Sequence, residues 1–174
     1  RSRAARPPTI REQCHQPHLH RHTQAEAVDL FDFTITDGAG GDGLALIASK
    51  LVVNTSGTGA FSQVAWLLNG PDASNFGGTY SSSANSITFS GLSLSIADGA
   101  SETYTVRSHY SNTAGLVDGA TFSLSPDGDS EVTATGGSSM SGNNSAVSNA
   151  AAAKIVAPPL PTNNRVGTCR KTAR

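Results

Sequence analysis

The stretch from residue 28 to residue 150 contains no cysteine and only two basic residues, Lys50 and Arg107. Eleven acidic residues lie in the same stretch, so its formal charge is 2 − 11 = −9. Such an excess of negative charge repels phosphate, which argues against binding of nucleic acid by this part of the chain. Both cysteines, Cys14 and Cys169, lie in the flanking segments.

Long apolar runs and helix-favouring segments are also scarce. No run of 18 apolar residues occurs, which argues against a membrane-spanning helix. Outside residues 146–156, no 11-residue window has a helix-favouring composition. Residues 150–154 could form only a short helix, because Pro158 and Pro159 follow closely. Since parallel strands need crossover connections that are usually helical, any sheet in this chain is expected to be antiparallel.

Large apolar residues are concentrated between residues 28 and 150. All ten aromatic residues and 17 of the 18 glycines lie there, whereas six of the eight prolines and four of the five histidines lie outside. Because a core needs large apolar side chains, residues 28–150 are predicted to form the domain. An irregular basic arm precedes it at residues 1–27, and a basic, proline-containing tail follows at residues 151–174.

The charges of the two flanks are opposite to that of the domain. The arm carries five arginines against Glu12 and Glu26, which gives 5 − 2 = +3, and the tail carries five basic residues, which gives +5. The near-neutral total of −1 therefore conceals an acidic body with basic ends. Opposite charges of this kind would attract the flanks of one copy to the body of another.

Within the domain, apolar and polar residues alternate over short segments that end in Gly, Pro or Asp. Phe31, Phe33 and Ile35 alternate with polar neighbours, which is the period of a half-buried strand. Pro126 to Asp129 is predicted to be a hairpin connection between the strands on either side of it. The segments predicted as strands after the first are 44–54, 61–69, 78–81 with 87–89 as a hairpin, 92–96, 102–110, 121–125, 131–135 and a weak one near 146–147. Eight or nine short strands with frequent turns predict an antiparallel all-β sandwich with irregular arms.

Four stretches of the domain carry a resemblance to a known family. They are LFDFTITDGAGGDGLAL at 30–46, WLLNGPDASNFGGTY at 66–80, ITFSGLSLSIADGASETYTV at 87–106 and FSLSPDGDSEVT at 122–133. In order and spacing they resemble a tandem Ig-like repeat of very large bacterial cell-surface proteins of the adhesin type. The resemblance covers about residues 29–149 and implies an Ig-like sandwich, an extracellular location and a structural or adhesive role. It implies no catalytic residues, and the flanks match nothing in the pattern.

Two acidic loops are candidate cation sites. Asp37 and Asp42 lie in a glycine-rich turn, and Asp127 and Asp129 lie in the segment Pro-Asp-Gly-Asp. Ca²⁺ binds several carboxylate and carbonyl oxygens that converge from a flexible loop, so these four residues are predicted calcium ligands. The alternative interpretation is that Asp-Gly pairs simply make good β-turns.

The flanks contain residues that could form a transition-metal site or a disulfide. Cys14, His15, His18, His20 and His22 are ligand types that bind zinc or copper, although no second motif completes a tetrahedral site, and the histidines could equally occur there by chance. In an oxidising compartment Cys14 and Cys169 could form a disulfide. That disulfide could join the two flanks of one chain or link one subunit to the next.

Hydrolytic chemistry finds little support in the domain. His109 is its only histidine, and no serine lies in a Gly-x-Ser-x-Gly turn between a strand and a helix. No glycine-rich loop leads into a helix in the manner of a phosphate-binding site. We therefore expect a protein that is not an enzyme.

Together these features predict a non-enzymatic building block of an extracellular or cell-surface assembly. It would be either an adhesin repeat or a filament subunit that associates with its own copies through the terminal arms. The alternative is a calcium-dependent module that binds a surface glycan or a protein. Calcium is the only cofactor for which the domain suggests a binding site, and no cofactor is expected to be required. The expected partners are other copies of the chain or neighbouring modules.

Overall fold

The computed structural model describes residues 23–38, 42–111, 117, 119–135, 147–149 and 153–154, with the backbone alone for Asp129 and for residues 153–154. The described residues form nine strands and three very short helical turns. The strands are β1 (Val28–Thr36), β2 (Leu46–Ser56), β3 (Val64–Gly70), β4 (Ala73–Ser81), β5 (Ser86–Ile96), β6 (Ser101–Tyr110), β7 (Thr121–Ser125), β8 (Val132–Thr135) and β9 (Ala153–Lys154). The helical turns are two 3₁₀ turns at Gln24–Glu26 and Phe61–Gln63 and one α turn, α1, at Gly128–Glu131.

All strand pairs of the described residues are antiparallel and make two layers. The first layer has the order β1-β6-β3-β4, and the second continues through β4-β5-β2, with β7 and β8 on the far side of β2 and β9 beyond β7. Strand β4 belongs to both layers, because Phe76 to Gly78 pair with β3 and Thr79 to Ser81 pair with β5. The strand order is thus continuous from β1 to β9 in a sheet that is nearly closed. The predicted antiparallel all-β sandwich is confirmed.

The alternation seen in the sequence fills the space between the layers. Phe31, Phe33 and Ile35 are buried on β1, while their polar neighbours from Asp32 to Thr36 are exposed. The same alternation buries Tyr104 and Val106 on β6 and Leu92, Leu94 and Ile96 on β5. Side chains from both layers form one apolar cluster. Burial of these apolar surfaces is the main source of the stability of the fold.

An aromatic group links the layers at one end of the sandwich. Phe122 of β7 packs edge-on against Phe61 and Trp66, with ring centroids 4.7 Å and 5.9 Å apart. Trp66 is 2% exposed, and its indole N–H donates to the carbonyl oxygen of Phe61 at 3.1 Å. The buried polar group of the largest side chain in the core therefore has a partner.

Several predicted elements differ in their boundaries or connections. Residues 87–89 and 92–96 belong to one strand, β5, in which Gly91 has a φ of 79° where the register with β2 shifts. The predicted hairpin at Pro126 to Asp129 is wrong. Both β7 and β8 pair antiparallel with β2, at Asn54–Ser56 and Ile47–Leu51 respectively, so they run in the same direction along one edge. The turn α1 connects them end to end.

The end of the domain also differs from the prediction. The weak strand expected near residues 146–147 is absent at Val147, and Ala146 lies outside the described residues. The last described strand is β9, which pairs Ala153 with Phe122 and Lys154 with Thr121. A short helix over residues 150–154 is wrong at Ala153 and Lys154, which are strand residues. Before β9, the backbone N–H groups of Val147 and Asn149 donate to the carbonyl oxygens of Pro126 and Leu124. Residues 147–149 and residues 153–154 therefore both lie beside β7.

The strand registers assign both chain ends of the domain to one end of the sandwich, here called the flank pole. Val28 lies opposite Ser108, which lies opposite Trp66. Trp66 packs on Phe122, and Phe122 lies opposite Ala153. The opposite end, here called the loop pole, contains the β1–β2 loop and the β5–β6 turn, since Thr36 lies opposite Ser101 and Leu46 opposite Ile96.

Candidate functional site

Three aspartates converge at the loop pole. Asp37 follows β1 directly, Asp42 lies in the loop that leads to β2, and Asp98 lies in the turn between β5 and β6. One oxygen of each carboxylate lies within 4.8 Å of the other two. Asp42 and Asp98 are exposed and Asp37 is half-buried. The antiparallel pairing of β1 with β6 brings the two connections together.

Each carboxylate of this cluster also accepts a backbone hydrogen bond. The N–H of Gly99 donates to Asp37 Oδ2 at 3.1 Å, and the N–H of Gly43 donates to Asp98 Oδ2 at 3.0 Å. Asp42 Oδ1 accepts from the N–H of Leu44 at 2.8 Å. Asp37 of the β1–β2 loop thus bonds to the backbone of the β5–β6 turn, and Asp98 of that turn bonds to the backbone of the loop. These bonds hold the β1–β2 loop against the β5–β6 turn.

The chemistry of the cluster suits a hard cation. Ca²⁺ takes six to eight oxygen ligands at about 2.3–2.6 Å, and carboxylates are its preferred charged ligands. Three converging carboxylates repel one another, and a bound cation would relieve that repulsion. Exposed acidic groups are also common without a metal. The backbone hydrogen bonds of the three carboxylates are sufficient to explain why they lie close together. The arrangement can therefore serve as a cation site or as a loop closure.

The structure brings together only part of the predicted calcium ligands. Asp37 and Asp42 share the cluster, as expected from their common loop. Asp98 is not among the predicted ligands, and the register of β1 with β6 is what adds it. Asp127 belongs to the β7–β8 connection, where its backbone oxygen accepts from the N–H of Glu131 at 2.9 Å. The side chain of Asp129 is outside the described part of the chain.

The predicted sites in the flanks also lie outside the described residues. These are the zinc or copper ligands Cys14, His15, His18, His20 and His22, and the second cysteine, Cys169. Their assignments remain predictions. His109 lies on the half-buried outer face of β6, opposite Ala65 of β3.

Arg107 forms a polar cluster at the flank pole that the sequence did not predict. Its Nε donates to Asp29 Oδ1 at 2.6 Å, and its two terminal nitrogens donate to the carbonyl oxygen of Ala27 at 2.7 Å and to Asn75 Oδ1 at 3.2 Å. The guanidinium thereby joins the beginning of β1 to β6 and β4. Only the pairing of Asp29 with Arg107 across the strands could have indicated this contact. It fixes the place where the chain enters the domain.

A partly buried polar pair also lies on β6. The hydroxyl of Tyr104, which is 0% exposed, donates to Glu102 Oε2 at 2.6 Å. Burial, followed by this hydrogen bond and the charge of Glu102, raises the pKa of Tyr104 well above its ordinary value of 10.0. The phenol therefore stays neutral under ordinary conditions and acts as a hydrogen-bond donor within the fold.

Comparison of the chain with family models, with curated proteins and with solved structures finds no match. Among the residues that the structure describes, no helix has the length and apolar character needed to cross a membrane.

Proposed function

We propose that this protein is a non-enzymatic structural subunit of an extracellular or cell-surface assembly, which joins to its own copies through its basic flanks. The observation that carries the proposal is the position of the chain ends. The domain begins at Val28 and its last described strand ends at Lys154, and both residues belong to the flank pole. Both flanks therefore continue from the same end of the sandwich.

The shared pole favours one form of the proposal over the other. Modules strung end to end are most simply linked when the chain enters at one pole and leaves at the opposite one. Here the segments that precede Val28 and follow Lys154 have formal charges of +3 and +4, and they continue from a single pole of a body with a charge of 3 − 11 = −8. Contact between the flanks of one copy and the body of another would bring opposite charges together. A self-associating subunit therefore fits better than a link in a linear series.

The loop pole is the natural target for such flanks. Three carboxylates converge there, and two of them are exposed. They lie at the end of the sandwich opposite to Val28 and Lys154, so that contact of the flanks with a neighbour's carboxylates would repeat in one direction and build a chain of subunits. The extracellular location is supported by the cysteine-free, Ser- and Gly-rich body and by the resemblance of residues 29–149 to surface repeats.

A matched pair of charge variants in the full chain tests this proposal. Asp42→Asn removes one charge at the loop pole, and Asp32→Asn removes one charge from the exposed face of β1. Both asparagines can still accept the bonds now made by Asp42 with Leu44 and by Asp32 with Thr105. Sedimentation velocity at low salt should show assemblies that are weakened by Asp42→Asn and retained in Asp32→Asn. Equal effects of the two variants would exclude the loop pole as the contact.

The second candidate function is a calcium-dependent binding module, and the convergence of Asp37, Asp42 and Asp98 is the observation that favours it. A ligand that binds only the folded state stabilises it by about 2.7 kcal/mol at 100 times its Kd. Ca²⁺ should then raise the Tm of the full chain, and Asp98→Asn should remove the shift whereas Asp32→Asn should keep it. The same Tm with Ca²⁺ and with a chelator would rule this function out.

A further inference from the structure

Strand β1 lies at one end of the strand order of the described residues. It pairs with β6 on one side, and no described strand pairs with its other side. The other strands that end the strand order are shorter, since β8 has four residues and β9 has two. With nine residues, β1 is the longest of the three. Its outer side, here called the β1 edge, is therefore a long strand side without a paired strand.

Two backbone hydrogen bonds show how the ladders on both sides of β6 alternate. The N–H of Asp37 donates to the carbonyl oxygen of Ala100 at 2.9 Å, one pair beyond the register of β1 with β6. The N–H of Ser111 donates to the carbonyl oxygen of Gln63 at 2.9 Å, one pair beyond the register of β6 with β3. Even-numbered residues of β6 therefore bond to β1, and odd-numbered residues bond to β3.

This alternation assigns the backbone groups of β1. The residues that lie opposite even-numbered residues of β6 bond to that strand, and they are Phe31, Phe33 and Ile35. The N–H and C=O groups of Asp32, Thr34 and Thr36 point to the other side, where no described strand pairs with them. The β1 edge thus presents a donor and an acceptor at each of three alternate positions, which is what an added strand needs.

The side chains beside the β1 edge form two different faces. On the outer face, the exposed side chains of Asp32, Thr34 and Thr36 bond to hydroxyl groups of β6 at 2.7 Å, 3.3 Å and 2.8 Å. On the core face, the three apolar side chains of β1 remain 6% to 8% exposed, whereas Leu68 and Val106 on the neighbouring strands are 0% exposed. A strand added at this edge would cover the remaining apolar surface.

The charge along the β1 edge is negative. Asp29 pairs with Arg107, whereas the only described partner of the Asp32 carboxylate is the hydroxyl of Thr105. Asp37 follows the end of β1 and belongs to the carboxylates of the loop pole. A strand with basic side chains on its outer face would bring opposite charges together. The same negative charge opposes the pairing of β1 with β1 of a second copy.

The flanks of this chain lack the sequence pattern that the β1 edge requires. A proline cannot donate to a strand ladder, and three prolines interrupt each flank, at positions 7, 8 and 17 and at positions 158, 159 and 161. Neither flank has a run of seven residues in which apolar residues alternate with basic ones. The pattern that fits the edge must therefore come from another protein.

We propose that the β1 edge binds an extended basic peptide segment of a partner protein, which adds antiparallel to β1 as a further strand. Residues of the peptide that lie opposite Asp32, Thr34 and Thr36 exchange two backbone hydrogen bonds with each of them. Their side chains are lysine, arginine or threonine on the outer face, and apolar residues between them cover the core face. This contact goes beyond the proposed function, because it joins the subunit to a different protein without using the flanks.

The probe is a short synthetic peptide with a fluorescent label, in which valines alternate with two lysines and a central threonine. Two N-methylated forms make a matched pair. Methyl groups on the lysine and threonine amides remove the donors that face β1, whereas methyl groups on the valine amides remove donors that face away from it. Fluorescence anisotropy with the full chain should show binding of the second form and loss of binding for the first. Equal binding of the two forms would overturn the proposal.

Two substitutions of Thr34 test the same contact from the side of the protein. Thr34→Pro removes the outward N–H but leaves the bonds of Phe33 and Ile35 with β6, whereas Thr34→Val keeps the N–H. Thr34→Pro should weaken binding of the peptide at least about tenfold, and Thr34→Val should retain it. Unchanged binding by a folded Thr34→Pro protein would contradict the proposal. The methylated peptides use the unmodified chain, so they decide the matter even if Thr34→Pro does not fold.

Hydrogen exchange of the full chain locates the contact. In the free chain the amides of Asp32, Thr34 and Thr36 should exchange readily, and the peptide should protect them. Protection of these three amides before the peptide is added would overturn the proposal and would identify another occupant. Protection that rises with protein concentration would assign the edge to a second copy, and protection independent of concentration would assign it to a segment of the same chain.

Discussion

At the scale of single residues, Ser108 is a buried polar residue whose hydroxyl group faces the apolar core. It is 1% exposed on the core face of β6, and its Oγ has no hydrogen-bond partner among the described residues. A buried hydroxyl without a partner costs about 1–3 kcal/mol. Ser108→Ala should therefore raise the free energy of unfolding by about 1 kcal/mol in urea denaturation.

Ser101 on the same strand provides the control for that substitution. Its exposed hydroxyl already pairs with Thr36 Oγ1 at 2.8 Å, so Ser101→Ala should leave the stability unchanged or slightly lower. A loss of stability in Ser108→Ala larger than in Ser101→Ala would contradict the account. It would mean that the Ser108 hydroxyl is bonded in the folded protein.

Tyr104 makes the stability depend on pH in the alkaline range. Its pKa is raised above 10.0 in the folded state, chiefly by burial. Above about pH 10 the unfolded chain loses the phenolic proton while the folded chain keeps it, so the free energy of unfolding should fall as the pH rises. The fall is about 1.4 kcal/mol per pH unit, and burial of Tyr110 acts in the same direction. The slope in alkaline urea titrations should be smaller for Tyr104→Phe, and an unchanged slope would show that Tyr104 ionises without unfolding.

At the scale of the secondary-structure elements, the loop between β2 and β3 depends on Gly59. A Cβ at this position would collide with the ring of Phe122, which is 1% exposed and fixed between Phe61 and Trp66. Overpacking of this kind costs about 1–3 kcal/mol. Gly59→Ala should lower the free energy of unfolding by that amount. Gly77→Ala in β4 is the matched control, because a Cβ there would meet nothing within 4 Å, and equal losses from the two variants would refute the packing argument.

The sequence predicted those elements whose structure depends on local alternation. Strands β1 and β6 have the expected buried faces, because one face packs against the core and the other meets solvent. The β7–β8 connection was mispredicted because Pro126 to Asp129 has the composition of a hairpin turn. What decides its course is that β7 and β8 both pair with β2, and local sequence does not contain that information.

In the candidate site, too, the sequence predicted the contacts within one loop but not the contacts between distant strands. Asp37 and Asp42 share one loop, so their proximity follows from sequence separation alone. Asp98 is 98 − 42 = 56 residues beyond Asp42, and it joins them because Thr36 lies opposite Ser101. The contact of Arg107 with Asp29 and Asn75 likewise depends on three strands and their register. Residues far apart in sequence meet only through the pairing of whole strands.

At the scale of the whole molecule, the two poles have different chemistry. The flank pole carries both chain ends of the domain and the Arg107 cluster, and the loop pole carries the convergent carboxylates. In the proposed function, basic flanks that continue from the strands of one pole contact the negative charge at the other pole of the next copy, and subunits associate in one direction. Salt screens such contacts, because the Debye length falls from about 30 Å at 0.01 M to about 3 Å at 1 M ionic strength.

The most direct test of this account is the weight-average mass of the unmodified full chain, measured by static light scattering as a function of protein concentration at low and high salt. The account predicts a mass that rises with concentration at low salt and returns to that of a 17.8 kDa monomer at high salt. A mass equal to the monomer at every concentration and salt level would contradict the proposed self-association through the flanks.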